Sequence, residues 1–434
     1  MTELDSLKSS AGERSADNTD DNVRRLPLLG SGRLALAPSV REVDKRNRPR
    51  VAVWELTLRC NLSCIHCGSR AGKPRADELS TEKCLRVVDE LAALSVLEVS
   101  LIGGEAHLHS GFIAVLRALK SHGIQVGMTT GGRGVGPELA ASVAAAGLDS
   151  VSVSVDGLAA THDALRGSGS FDDALGAISA LRAAGVFVSV NTQISRANQG
   201  ELEGLLERLI EAGVRAWQIA LTVPMGRAAD RPEMLLQPYD LVDLFPRLAA
   251  MKRRCDEASV RLWPGNNIGY FGPYEEVLRG QMPLGHCYSC GAGLSTLGIE
   301  ADGSVKGCPS LPSEAWVGGN LREHTLLELW ERSLPLRYIR DRGTSDLWGF
   351  CQTCYYADEC RGGCTWTAFS LFSRTGNNPY CHHRVLELSR RGQRERVERE
   401  APAPGKPFDV AKFRLILEPL GTIPSPTRIN EETT

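Results

Sequence analysis

The sequence predicts an α/β fold built on a parallel sheet, followed by a small cysteine-rich unit. Three observations carry that expectation. Short apolar runs alternate with segments of helical periodicity six times between residues 51 and 258. Most of those runs are continuously apolar, which suits strands covered by helices. After residue 284 the helical periodicity gives way to paired cysteines and glycines as far as Cys381. Successive βα units return each strand beside its neighbour through right-handed crossovers. The pattern alone fits an open doubly wound sheet or a barrel.

Residues 1–47 are polar and charged with scattered Gly and Pro, and are expected to form a mobile leader. The first strand is expected over 51–58. Ser80 is placed to cap a helix running to about Leu94, with Lys83 rather than Glu three residues on. Strand 96–102, helix 112–121 and strand 124–129 follow. Then come helix 137–146, strand 150–155, helix 171–184, strand 186–192, helix 201–212, strand 216–221 and helix 238–258. Cys84 falls at helical spacing with Val87, Val88, Leu91 and Leu94, and Cys255 follows Leu244, Leu248 and Met251; both are expected in the apolar core. Residues 48–284 thus form one unit and 285–385 a second. The second has few apolar residues between its cysteines, so metal is expected to hold it together. Residues 384–400 alternate Arg with Glu and are expected to form a solvated charged helix, opening a last unit (386–434) that ends in a Pro-rich joint and a polar tail.

Composition narrows the function classes. A chain of 434 residues with 42% hydrophobic and 24% charged residues is neither disordered nor fibrous. Lys and Arg (50) nearly balance Asp and Glu (52), so no general attraction to nucleic acid or anionic membrane is expected. No stretch reaches the ~18 to 20 apolar residues of a membrane-spanning helix, and the polar start lacks the apolar core of a signal peptide. A cytoplasmic location is the expectation. In that reducing compartment thirteen cysteines point to metal or catalytic roles rather than disulfides.

Cys60, Cys64 and Cys67 have the spacing C-x3-C-x2-C directly after the first strand. Three thiolates on a tight loop can hold three irons of a cubane [4Fe–4S] cluster and leave the fourth iron open. A zinc knuckle is the alternative, and it needs a fourth ligand close by. The motif resembles the signature of the radical SAM superfamily, in which an aromatic-type residue precedes the last cysteine; His66 stands there. That resemblance covers roughly residues 48–284. It implies a partial (β/α)6 TIM-like barrel, with the site at the carboxyl ends of the strands. It also implies S-adenosylmethionine on the open iron and its reductive cleavage to a 5′-deoxyadenosyl radical.

Further residues fit the same resemblance. Gly103-Gly104-Glu105 ends the second strand: glycines permit close backbone approach, and a carboxylate can accept hydrogen bonds from an ammonium. In the family this turn holds the methionine amino group; here Ala106 replaces the usual proline. Ser154, in Ser-Val-Asp156-Gly157, resembles the family's Ser-x-Asp-Gly, which aims a hydroxyl at the cosubstrate. Arg166 matches the arginine that meets the methionine carboxylate, a partner suited to a guanidinium. Asn191 and Gln193 either face the ribose or substrate or are ordinary inward polar residues. Thr129-Thr-Gly-Gly132 resembles the family's Thr-Asn-Gly, with Thr130 in place of Asn.

The later cysteines run Cys290-x12-Gly303-x4-Cys308, then Cys351-x2-Cys354-x5-Cys360-x3-Cys364, then Cys381. This array resembles the SPASM extension of radical SAM enzymes, and Cys287 adds an eighth ligand. By resemblance, Cys287, Cys290, Cys308 and Cys364 hold one auxiliary cluster and Cys351, Cys354, Cys360 and Cys381 a second, giving three [4Fe–4S] clusters in all. Two zinc sites are the alternative reading of such paired cysteines.

Radical SAM proteins with this extension usually modify peptides or proteins. The expected function is therefore hydrogen abstraction from a peptide or protein, with the auxiliary clusters accepting the electron. A one-electron reductant of flavodoxin or ferredoxin type is expected, and neither nucleic acid nor membrane as partner. Pro309 follows Cys308 where anaerobic sulfatase maturases carry a basic Asp, which argues against that reaction. One alternative is modification of a small metabolite such as a tetrapyrrole. Another is a non-catalytic iron–sulfur or zinc scaffold or electron carrier, against which the Gly-Gly-Glu turn and Arg166 argue. Trp263 and Trp366 are either core residues or substrate wall, and Asn266, Asn267, Tyr270 and Tyr274 are either ordinary loop residues or polar members of that wall.

Overall fold

The structure, a computed structural model, describes residues 36–269, 271–280 and 290–421; Cys287 and Tyr270 lie outside the described residues. A short helix α1 (Glu42–Arg46) precedes the sheet. Strands β1 (Val51–Thr57), β2 (Glu98–Gly103), β3 (Gln125–Thr130), β4 (Ser150–Ser154), β5 (Phe187–Ile194), β6 (Ala216–Leu221) and β7 (Arg261–Pro264) then lie side by side in chain order, all parallel. Helices α2 (Thr81–Ala93), α3 (Phe112–Ser121), α4 (Pro137–Ala145), α5 (Ala159–Arg166), α6 (Ser170–Ala183), α7 (Leu202–Glu211) and α8 (Leu241–Glu257) fill the crossovers. The result is a partial (β/α)6 barrel with a seventh strand.

The amphipathic faces explain why the helices dock. Helix α2 starts at Ser80, whose side chain accepts from the Lys83 backbone N–H at 3.3 Å, as its position in the sequence predicts. It buries Cys84, Val87, Val88 and Leu91, one stripe of a 3.6-residue period. Helix α7 does the same with Leu202, Leu205, Leu206 and Leu209. Cys84 and Cys255 both lie in this core, and burial pushes each thiol up to about 12. Trp217 is fully buried with its indole N–H donated to the Thr192 hydroxyl at 2.9 Å.

The cysteine-rich unit extends the same sheet. Strand β8 (Thr296–Ile299) pairs parallel with β1, and β9 (Ser304–Lys306) and β10 (Gly319–Asn320) continue antiparallel, completing a ten-stranded sheet. The expectation that this unit lacks a packed interior is corrected. Trp316, Leu326, Leu329, Trp330, Leu336 and Leu371 are all buried. Most of them come from the long gap between Cys308 and Cys351, where helices Leu326–Arg332 and Leu334–Asp341 form.

Two further expectations are corrected. Residues 36–47 are docked rather than mobile. The buried Asp44 carboxylate meets Arg41, Arg337 and Arg340 at 2.8 to 2.9 Å, and Ala37, Ser39 and Asn47 hydrogen-bond Arg332, Arg337 and Trp330. The helix expected over 384–400 also ends early: helix His382–Arg390 stops at Gly392, in the left-handed region with φ +68°. The chain continues as strand β11 (Gln393–Ala401), which pairs antiparallel with β12 (Lys412–Pro419). The Arg–Glu alternation therefore makes cross-strand pairs such as Arg394–Glu418 and Arg414–Glu398. Every second residue from Glu395 to Val397 turns inward, a period of two. Among the described residues no helix is long and apolar enough to cross a membrane.

Candidate active site

The cluster-type motif sits where β1 ends. Cys60, Cys64 and Cys67 occupy a loop whose backbone points at their sulfurs: Leu62 N–H lies 3.4 Å from Cys60 Sγ and Ala71 N–H 3.4 Å from Cys67 Sγ. The Ser69 hydroxyl is 3.5 Å from Cys67 Sγ, and Arg166 Nη1 is 3.8 Å from Cys64 Sγ. Burial pushes the Cys60 thiol up to about 12 and raises Cys64 as well. Burial disfavours the Cys60 and Cys64 thiolates, whereas the Leu62 N–H beside Cys60 and the Arg166 guanidinium beside Cys64 favour them. That environment fits an iron–sulfur ligand set.

The Gly103-Gly104 turn has a structural cause. A Cβ on Gly103 would stand 2.3 Å from Thr57 O, and one on Gly104 2.2 Å from Arg59 O. Gly104 N–H donates to Thr57 O at 2.7 Å and Glu105 N–H to Arg59 O at 2.8 Å. The glycines thus let the end of β2 lie directly on the chain entering the cysteine loop, which sets Glu105 beside it. The buried Glu105 carboxylate accepts from Thr130 Oγ1 at 2.5 Å and from Gly131 N–H at 2.7 Å, with His107 Nδ1 at 3.4 Å. Thr130, a low-profile substitution in the sequence motif, is its chief side-chain partner.

Arg166 closes α5, next to the cysteines. Its Nε donates to Asp156 Oδ2 at 2.6 Å. The same carboxylate meets His66 Nε2 at 3.0 Å and accepts from Gln193 N–H at 2.8 Å. Burial alone would raise Asp156, but the Arg166 and His66 side chains hold it well below the usual carboxylate range. Burial and the Arg166 charge push His162, which accepts from Asp156 N–H, down to about 4. Ser154 donates to Asn191 Oδ1 at 3.3 Å, so these two expected residues do meet. Asn267 instead brackets Leu221 through both its side-chain atoms and is structural. Trp263 is half exposed on the edge strand β7 under the Arg261 guanidinium. Sequence reasoning assigns no role to Asp156 and places Arg227 only at the end of a segment, 221–227, where substrate contacts could fall. The first sits in the quoted Ser-x-Asp-Gly motif, and the second follows Gly226, whose φ of +59° lets it lie against Cys67 and Gly68. His66 Nδ1 and Arg227 Nε are buried without a hydrogen-bond partner at this site.

The later cysteines form two groups. Cys290, Cys308 and Cys364 lie together: burial and then the neighbouring Cys290 sulfur push Cys308 up to about 12 and Cys364 up to about 11. Cys351, Cys354, Cys360 and Cys381 line one cavity with Phe350, Tyr356, Asn378 and His383. Tyr356 N–H lies 3.4 Å from Cys354 Sγ. Trp366 Nε1, Asn378 Nδ2 and Arg342 Nη2 are buried donors without a partner in this unit. None of the twelve described cysteines is joined in a disulfide. Among the described residues no group of three or more His, Cys, Asp or Glu side chains is placed to hold one metal ion.

Residues 54–209 match the radical SAM superfamily model, and residues 290–355 match SPASM, an iron–sulfur cluster-binding domain. The chain is 31% identical over 338 residues to mycofactocin maturase MftC of Mycobacterium ulcerans (strain Agy99), covering 77% of this chain and 88% of that one. The chain belongs to the radical SAM superfamily. This radical SAM enzyme is also 31% identical over 358 residues to the AdoMet-dependent heme synthase of Methanosarcina barkeri (strain Fusaro / DSM 804), covering 78% of this chain and 97% of that one. Its fold is shared with Streptococcus suis SuiB, solved bound to the precursor peptide SuiA. That likeness has a TM-score of 0.59 at 18% identity and covers 79% of this chain and 76% of that one. Iron–sulfur clusters and S-adenosylmethionine are the cofactors this membership implies, and the reading as a non-catalytic scaffold falls away.

Proposed function

We propose that the enzyme abstracts hydrogen from a peptide or protein substrate, using three [4Fe–4S] clusters and S-adenosylmethionine. The observation that carries the proposal is one loop at the strand ends that bears Cys60, Cys64 and Cys67 and packs against the buried Glu105 turn and the Asp156–Arg166 pair. Cys60, Cys64 and Cys67 would hold the open cluster. Cys290, Cys308 and Cys364 with Cys287 would hold one auxiliary cluster, and Cys351, Cys354, Cys360 and Cys381 the other. When bound, the open cluster and its chelated S-adenosylmethionine would supply a 5′-deoxyadenosyl radical, and the auxiliary clusters an acceptor for the substrate's electron.

The protein's own groups do the positioning. Thr130 and Gly131 hold Glu105 from one side, leaving an anionic group suited to the methionine ammonium. Asp156 fixes Arg166 beside Cys64, where its remaining charge suits a carboxylate. Ser154, His66 and the Gly103–Gly104 backbone would complete the cosubstrate wall. A flavodoxin- or ferredoxin-type donor would provide the electron.

The maturase relative and the peptide-bound SuiB support a peptide substrate. A tetrapyrrole is the second reading, favoured by the heme synthase match along nearly the whole of that chain. Anaerobically reconstituted protein should carry about twelve irons, four per cubane, and release 5′-deoxyadenosine with dithionite and S-adenosylmethionine. Cys64→Ala should stop that release; continued turnover would sink the mechanism. Mass spectrometry of a short peptide encoded beside the gene, against a tetrapyrrole, decides the substrate class by which one changes mass.

A further inference from the structure

The C-terminal hairpin lies outside both family-matched segments, 54–209 and 290–355. Its loop nevertheless runs back to the cysteine loop. The Asp409 side chain there is 4% exposed. Its Oδ1 accepts from Arg70 Nε at 2.8 Å, and Oδ2 accepts from Arg70 Nη2 at 3.4 Å and from the N–H groups of Gly405 and Lys406 at 2.5 and 3.0 Å. One carboxylate therefore shapes its own loop and grips Arg70. The neighbours of Asp409 are tied in as well. Gly226 N–H donates to Asp409 O at 2.8 Å, Met225 pairs with Val410, and the Phe408 ring lies 4.0 Å from Lys306 Nζ.

Arg70 stands three residues after Cys67 and reaches the hairpin from there. Its N–H donates to Cys67 O at 3.3 Å, and Arg227 N–H donates to the same oxygen at 3.0 Å. Gly226 and Arg227 thus hold the hairpin with one N–H and the cysteine loop with the next. A Cβ on Gly226 would stand 2.5 Å from Cys67 O, so the approach requires glycine. Arg70 and Phe408 both adopt left-handed backbone, at φ +51° and +57°, a region L side chains seldom occupy unless tertiary contacts fix them. Arg70 Nη1 and Nη2 also donate to the more exposed Asp230 at 2.6 and 2.9 Å.

We propose that Arg70 is a positioning residue for the cysteine loop, and that through Asp409 the C-terminal hairpin is a working part of the catalytic centre. This rests on the reading that Cys60, Cys64 and Cys67 hold the open cluster. A hairpin that fixes the Cys67 side of the loop sets how firmly that thiolate is presented, and groups that orient metal ligands from behind typically alter affinity 10- to 100-fold, as an order of magnitude.

The test uses full-length, anaerobically reconstituted enzyme. Electron paramagnetic resonance of the reduced protein, with and without S-adenosylmethionine, isolates the signal that responds to the cosubstrate. Its decay under an iron chelator is then timed. Arg70→Lys keeps the charge but loses the two-pronged grip, and Asp409→Asn keeps the shape but loses the charge. Both are expected to speed the decay of the responsive signal about tenfold, while the other cluster signals decay at their wild-type rates. Asp230→Asn should decay at the wild-type rate. Equal rates in all four proteins would overturn the proposal, as would equal acceleration of every cluster signal, which marks general loosening. If Asp409→Asn does not fold, Arg70→Lys alone decides. A wild-type protein with no responsive signal would instead refute the cluster assignment.

Discussion

Glu55 and Glu300 face each other across the β1–β8 pairing, both buried, with Arg75 bridging them at 3.3 and 2.8 Å and Lys306 2.6 Å from Glu300. Desolvation pushes Glu55 up to about 7 from 4.5, opposed by Arg75 and assisted by Glu300. The folded state therefore retains a proton that the unfolded state loses between those pH values. Stability attributable to Glu55 is full below about pH 4.5 and falls through about pH 7, by roughly 3 kcal/mol at most. Glu55→Gln should flatten that part of the slope, read from urea midpoints at pH 5 and pH 8. At this scale the sequence names residues but seldom their partners. Thr130 and Asp156 stand in recognisable motifs, yet only the fold shows Thr130 on Glu105 and Asp156 on Arg166 and His66. Asn267 shows the converse: a polar loop residue read as a wall candidate is spent on the Leu221 backbone.

Among the elements, the βα alternation was legible because each strand and helix carries its own period. Ser80 caps α2 where its position predicts, and β6 spans Ala216–Leu221 as its apolar run indicates. The C-terminal hairpin was not legible, because Arg–Glu alternation satisfies helical i,i+4 pairing and strand cross-pairing alike. Its partner strand, with Phe413 and Leu415, lies beyond any local window. Gly392 is the break that separates helix from strand. A Cβ there meets nothing within 4 Å, so the cost of a side chain is conformational alone. Gly392→Ala should lower stability by about 1 kcal/mol, measured as a fall in melting temperature. An unchanged melting temperature would mean that the turn relaxes without its glycine.

Across the whole molecule, the N-terminal segment and the cysteine-rich unit are joined by charge. Asp44 is fully buried among Arg41, Arg337 and Arg340, and burial pushes Arg340 down to about 10. Removing one member of a buried ion pair leaves the other uncompensated, at a cost of about 3 to 5 kcal/mol. Asp44→Ala should therefore destabilise the fold by about that amount in chemical denaturation; a loss under about 1 kcal/mol would show that water reaches the three guanidinium groups. The ten-stranded sheet makes the same point. Because β8 pairs with β1, the cysteine-rich unit shares the strand whose end launches Cys60, Cys64 and Cys67.

The sequence by itself determined the barrel-forming alternation, the spacing of the cysteines and hence the class of chemistry, because each is written in local periods and short intervals. The tertiary structure decided which carboxylate holds which guanidinium, why Gly103 and Gly104 must be glycine, and that the last strands return to Arg70. Those pairings join residues far apart in the chain, Arg70 with Asp409 and Arg166 with Cys64 among them. Burial gives them their energy, and burial exists only once the sheet and its helices have closed around them.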